Sequence, residues 1–142
     1  VLGCMLGLQL ENSGCIQVLA NKILSLLRYK KPSFALAIFG AILGIPVFCD
    51  SGYVILVNLA KTISTQSQVS FTTTSLSLAS GLYTTHTLVP PTPGPVAAAG
   101  NVGLASSLGL VMLIGLVVSL PTVIAGYFYA SWIGKRISPA QN

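Results

Sequence analysis

From Thr62 to Gly134 the chain carries no acidic or basic residue except His86, and this apolar expanse is interrupted by Pro90-Pro91-Thr92-Pro93-Gly94-Pro95. A soluble domain holds about 25% charged residues, whereas this chain is 53% hydrophobic and 6% charged, with a mean hydropathy of +0.83. An uncharged stretch of this length belongs in a bilayer, where roughly 20 apolar residues make one crossing. Four prolines within six residues cannot continue a lipid-exposed helix, because each removes a backbone donor and clashes with the preceding turn. Non-helical backbone at membrane depth survives only where protein or a water-filled cavity covers it. The break therefore reads as a site within an all-α integral membrane protein.

The formal net charge is +5, but the basic residues are spread among connecting segments rather than gathered into a patch, so a nucleic-acid partner is not expected. Their distribution speaks to topology instead. Cys4, Cys15 and Cys49 form no CxxC pair and read as small buried hydrophobes. His86 is the sole histidine, which argues against a histidine-based metal site, and no cofactor motif is present. Absence of HExxH, GxSxG, P-loop and close carboxylate pairs argues against an enzyme. The chain begins apolar at Val1 and closes on the loop-like Ser138-Pro139-Ala140-Gln141-Asn142, so continuation at both ends is expected.

Four segments follow from the hydropathy. Residues 1–27 form a span, or its last part, leading into a basic loop. Residues 33–60 are apolar around Gly44-Ile45-Pro46-Val47-Phe48-Cys49-Asp50-Ser51-Gly52, and the arms 33–44 and 51–60 reach about half the hydrocarbon thickness each, which suggests a re-entrant hairpin. Residues 70–103 form a helix broken at the prolines, and residues 104–133 cross once more. In the broken helix Thr73, Ser77, Ser80, Thr84 and Thr87 recur at helical spacing and share one face, either lining a route or packing. Gly126, Ala130 and Gly134 have the small-xxx-small spacing of close helix approach, and Pro121 is expected to kink the last span. If 33–60 dips in and returns, all seven basic residues fall on one side of the membrane, as the positive-inside rule prefers. Tyr127, Tyr129 and Trp132 fit an aromatic belt at that boundary or ordinary packing.

Asp50 is the only carboxylate of the hairpin, and placing a charge at bilayer centre costs on the order of 2.5–3.5 kcal/mol. It reads either as a proton or cation site or, with Ser51, as a cap for the second arm. Pro95 stands where a following helix would start, so the N–H groups of Val96, Ala97 and Ala98 would point back at the break and attract an anion. The alternative is a proline-rich turn at the membrane surface. His86, one turn before the break, reads as a proton relay or substrate contact, or as a residue bonded to Thr84, Thr85 or Thr87. Glu11 is a second intramembrane carboxylate or an interfacial residue.

The run Gly44-Ile45-Pro46-Val47-Phe48-Cys49-Asp50-Ser51-Gly52-Tyr53, followed by Thr85-His86-Thr87-Leu88-Val89-Pro90-Pro91-Thr92-Pro93-Gly94-Pro95, resembles the gluconate permease family of secondary transporters. Leu10-Glu11-Asn12-Ser13-Gly14 is similar to that family's upstream LExSG element. The resemblance covers essentially the whole chain. It implies a multi-pass symporter of the cell inner (plasma) membrane, moving gluconate, a related sugar acid or, in some relatives, D-serine together with protons. It also implies one repeat of an inverted-repeat fold, whose partners are the bilayer, the small organic anion, protons and the remaining half of the same polypeptide, with a homo-oligomer left open. Family sequences usually carry His where this chain has Thr92 and an aromatic where it has Cys49, so the particular anion stays open. The candidate site is Asp50, Ser51, Gly52, His86, Pro91, Thr92, Pro93, Gly94 and Pro95. Rival readings are a non-transporting membrane assembly subunit and a channel without proton coupling.

Overall fold

The computed structural model describes residues 31–45 and 49–137, together with Val18, Lys22 and Ser25. The expected span over residues 1–27, Glu11 included, and Cys4 and Cys15 lie outside the described residues apart from those three positions. The described chain is helical: α1 (Pro32–Leu43), α2 (Cys49–Ser67), α3 (Phe71–Leu88), α4 (Pro93–Asn101), a short 3-10 turn (Ala105–Ser107) and α5 (Leu108–Arg136).

Local chemistry accounts for the boundaries. Pro32 opens α1, where its missing N–H has no intrahelical partner to lose. The helix closes at Gly44, whose N–H bonds Gly40 O at 2.8 Å, ahead of Pro46, since a residue preceding proline is pushed out of the α region. α2 and α3 are joined by a tight turn in which Gln68 takes a φ of 53°, and the Ser64 hydroxyl donates to Val69 O at 2.7 Å. α3 ends at Val89, which is extended (φ −117°, ψ 121°) because Pro90 follows. α4 ends in paired bonds, Gly103 N–H to Gly100 O at 3.2 Å and Leu104 N–H to Ala99 O at 2.8 Å. That closure needs a left-handed residue, which Gly103 supplies with a φ of 75°. α5 runs through Pro121 as one helix.

α3 is the hub against which α1, α2 and α5 pack. A core of Leu36, Leu59, Ile63, Leu78 and Leu82 fills the space among α1, α2 and α3, with Cys49 also buried there as a free thiol. Toward α1, the backbones meet at glycines: a Cβ on Gly40 would lie 2.6 Å from Leu78 O, and one on Gly81 would strike Ala37 O. Toward α5, Gly115 abuts Leu88, Gly126 abuts Ser80 and Gly134 abuts Thr73, while Ala130 is buried between the last two. The expected small-residue stripe of α5 is thus the seam with α3.

These pairings fix direction. Gly40 meets Leu78 and Leu82 and Gly44 meets Thr85, so α1 runs alongside α3 in the same sense. α5 runs opposite, from Leu88 back to Thr73. α2 also runs opposite, since Asp50 bonds Tyr83 and Tyr53 bonds Ser75. One end of the bundle therefore gathers the start of α1 beside Lys31, the part of α2 beyond Lys61, and Lys135 and Arg136. The end of α1, the start of α2 and the proline break share the other direction.

α2 is longer than the arm 51–60 that hydropathy suggests. α2 continues from Ala60 to Ser67 because Lys61, Thr62, Ser64 and Gln66 tolerate a helix once tertiary packing holds it, with Ile63 fully buried. α1 and α2 are therefore unequal in length, about 18 Å and about 28 Å by helical rise.

Candidate functional site

The hydroxyl-rich sequence of α3 forms a helix because its hydroxyl protons are spent on its own carbonyls. Thr84 donates to Ser80 O at 2.6 Å, Ser80 to Ser77 O at 3.0 Å, and Thr87 to Tyr83 O at 2.8 Å. Such back-bonding satisfies the group inside the helix and lets Thr74, Thr84 and Thr85 be buried. Ser77 Oγ is the exception, buried without a hydrogen-bond partner. The outcome for the shared hydroxyl face is packing at Thr73 and Ser80, which sit against glycines of α5.

At the break the residues do something the proline pattern did not foretell. Thr92 is 7% exposed, and its hydroxyl lies 2.7 Å from His86 O and 2.9 Å from Val89 O. Its single O–H can donate to either carbonyl, and it thereby closes the C-terminus of α3 by pairing an acceptor that helix ends leave orphaned. Although Thr92 is also the N-cap of α4, it makes no side-chain bond to that helix. Replacing Thr92 by Val keeps the shape and removes the donor, at a cost of about 1–3 kcal/mol for a buried acceptor left unpaired. The expected result is a lowered thermal midpoint for the full-length protein, with Thr92→Ser close to the parent.

α4 begins at Pro93, two residues ahead of the expected start at Pro95. This changes its anion-binding capacity. Pro93 and Pro95 have no N–H, and the Val96 N–H bonds Thr92 O at 3.3 Å. Ala97 and Ala98 then fall within the helix's own ladder. Gly94 alone brings an N–H to the first turn ahead of that ladder, so the helix end offers one donor rather than the three expected from Val96, Ala97 and Ala98. Pro91, Pro93 and Gly94 are exposed and Pro95 is buried.

Asp50 stands in the first turn of α2 rather than in a cap position, because the helix already includes Cys49. A carboxylate there is favoured by the helix dipole. Its Oδ1 accepts a 2.6 Å bond from the Tyr83 hydroxyl of α3, and the Cys49 Sγ approaches the same oxygen at 3.8 Å. Ser51 is exposed and Gly52 buried at the same turn. Tyr83 did not stand out in the sequence, yet its spacing of three from His86 puts both on neighbouring positions of one helix surface. Asp50, Tyr83, the half-buried His86 and Thr92 are thereby assembled along the last turns of α3.

The arrangement does not end at the surface of α5. Gly115, level with Leu88, leaves about 10 Å of α5 beyond the break by helical rise. The stretch Ala105–Arg136 is long and apolar enough to cross a membrane, the one such span among the described residues. Its outward face is apolar and exposed at Leu113, Val117, Leu120 and Phe128.

A family model described as GntP family permease matches residues 1–142, and the chain belongs to that family. It is 40% identical over 135 residues to the inner membrane permease YgbN of Escherichia coli, covering 95% of this chain and 29% of that protein. It is 34% identical over 146 residues to a gluconate permease of Zymomonas mobilis, covering 99% of this chain and 31% of the relative. It is 32% identical over 97 residues to the Gnt-II system L-idonate transporter of Escherichia coli, covering 68% and 22%. The chain thus spans less than a third of the length of the curated relatives it matches. No solved structure matches it at a significant level.

Proposed function

We propose that the protein containing this chain is a secondary transporter of the inner membrane that carries a sugar acid, gluconate or a close relative, together with protons. In this reading α1 and α2 form a re-entrant hairpin, α3 and α4 form one discontinuous crossing, and α5 crosses back. Asp50 carries the coupling proton, and the backbone around Thr92 and Gly94 contacts the anion alongside His86. The remaining part of the polypeptide completes the path.

The observation that carries the proposal is the juxtaposition of Asp50 with the last turns of α3, through Tyr83, beside a helix break that lies within the length of α5. A broken helix level with a membrane-spanning one needs cover from protein or a water-filled cavity, and an acid placed at such a break is suited to ion coupling. The sugar-acid class is supported by relatives named for gluconate and L-idonate. With a single free donor at the start of α4, the backbone contact to the anion falls on Gly94 and side chains supply the rest.

Two measurements test this. In membrane vesicles with the full-length protein, an imposed inward proton gradient should drive labelled gluconate above equilibrium. Accumulation indifferent to the gradient would reject symport. Single cysteines at Lys61 and Lys135 should react with an impermeant thiol reagent from the same membrane face, the face that carries the bases under the positive-inside rule. Labelling from opposite faces would reject the hairpin.

A further inference from the structure

Tyr83 is 45% exposed, and Asp50 is exposed as well. A single hydrogen bond contributes modestly to stability. It does fix geometry. The phenol reaches across from α3 to hold Oδ1 of the acid on α2, and the Cys49 thiol approaches that same oxygen. With both donors on Oδ1, the carboxylate's rotation is set, and a proton loading the acid adds at Oδ2. A bond from a neutral phenol to a carboxylate is charge-assisted and directional, so it forms with the ionised acid and weakens when the acid is protonated. The bond joins the first turn of α2 to the turn of α3 that precedes His86 and the break. The titratable groups facing Asp50 among the described residues are Tyr83 from α3 and Cys49 from α2. His86 lies one turn further along α3, and Lys31, Lys61, Lys135 and Arg136 gather in the opposite direction.

We infer that Tyr83 is a positioning residue for coupled transport: its phenol fastens α2 to α3 while Asp50 is ionised and releases it when Asp50 takes up a proton. The inference rests on the reading of Asp50 as the coupling acid. It differs from a packing role because the bond responds to the charge of its acceptor, and because its loss should affect coupling while leaving substrate exchange in place.

The test uses the full-length protein in membrane vesicles with labelled gluconate. Tyr83→Phe keeps the ring and loses only the hydroxyl. Gradient-driven accumulation should fall about tenfold or more while counterflow at equal pH, which needs no net proton movement, stays within about twofold of the parent, since the interaction lost belongs to one part of the cycle. Combining Tyr83→Phe with Asp50→Asn should give the loss of Asp50→Asn alone, the signature of two groups acting through one contact. Three results would overturn the inference: accumulation by Tyr83→Phe equal to the parent, equal loss of accumulation and counterflow, or a double variant in which the two losses multiply. Disappearance of Tyr83→Phe from the membrane would overturn it too, by revealing a purely structural role. If Asp50→Asn itself retains gradient-driven accumulation, the coupling assignment fails first. Loss in Asp50→Asn with parental Tyr83→Phe sinks this inference alone.

Discussion

A methyl group added at position 81 is expected to force α1 away from α3. The Cβ of Gly81→Ala would strike the Ala37 carbonyl oxygen and lie 2.9 Å from the Ala41 N. Both are backbone atoms of a neighbouring helix, so relief requires moving the helix rather than turning a side chain. The same seam is closed from the other side by Gly40, whose added Cβ would lie 2.6 Å from Leu78 O, and by Gly44, whose Cβ would lie 2.6 Å from Leu82 O. Overpacking of this kind costs about 1–3 kcal/mol and at times more. Alanine also returns about 1 kcal/mol of helix propensity over glycine, so a net loss of stability would measure the clash against that gain. The purified full-length protein carrying Gly81→Ala should unfold at lower temperature and accumulate less in the membrane. Gly109→Ala is the matched control, because nothing lies within 4 Å of a Cβ there, and it should be neutral or slightly stabilising. Equal behaviour of the two variants would mean that α1 and α3 do not approach as closely as described.

That seam also illustrates what the sequence reveals and what it leaves hidden. Helices were legible where the chemistry is local. Prolines at 90, 91, 93 and 95 forbid a continuous helix, and the structure breaks between Leu88 and Pro93. The stripe of Gly126, Ala130 and Gly134 announces a close neighbour, and α3 is that neighbour. The spacing of Gly40 and Gly44 carries the same signal, but within a continuous apolar run it does not say which helix it meets. The hydroxyl periodicity of α3 identified a face without identifying what it meets. A hydroxyl bonded to its own helix can pack against glycine as readily as it can line water, so composition cannot separate the two.

The sequence reading places the start of α4 at Pro95, and the structure moves it for a related reason. Proline is acceptable at the first positions of a helix, and both Pro93 and Pro95 satisfy that condition. Only the main-chain bond from Val96 to Thr92 selects the earlier one, and with it removes most of the free donors an anion would use. Tyr83 was hidden because its role depends on a partner 33 positions away. Nothing in the local spacing of Tyr83 and His86 indicates that an acid from another helix arrives beside them. Likewise α2 extends past Ala60 because Ile63 is buried by tertiary packing, which a hydropathy boundary does not register.

Removing the charge at Asp50 is expected to have the largest effect on transport. Asn is nearly isosteric and can still accept the Tyr83 hydrogen bond through its amide oxygen, so the local fold and the contact between α2 and α3 should survive. What it cannot do is gain and lose a proton. If Asp50 carries the coupling proton, Asp50→Asn should abolish gradient-driven gluconate accumulation by the full-length protein, a loss of about a hundredfold or more where a positioned proton carrier is removed. Exchange of gluconate across the membrane at equal pH should persist, since that partial reaction asks only for binding and reorientation. Asp50→Glu, which retains the titrating group but moves it outward by one methylene, should recover part of the accumulation. A purely structural role predicts the reverse ranking: Asn, matched in shape, would be tolerated, and Glu, lengthened beside the buried Cys49 and Gly52, would be the more damaging change. The order of the two variants in a single vesicle assay thus separates an acid that moves protons from an acid that merely steadies the first turn of α2.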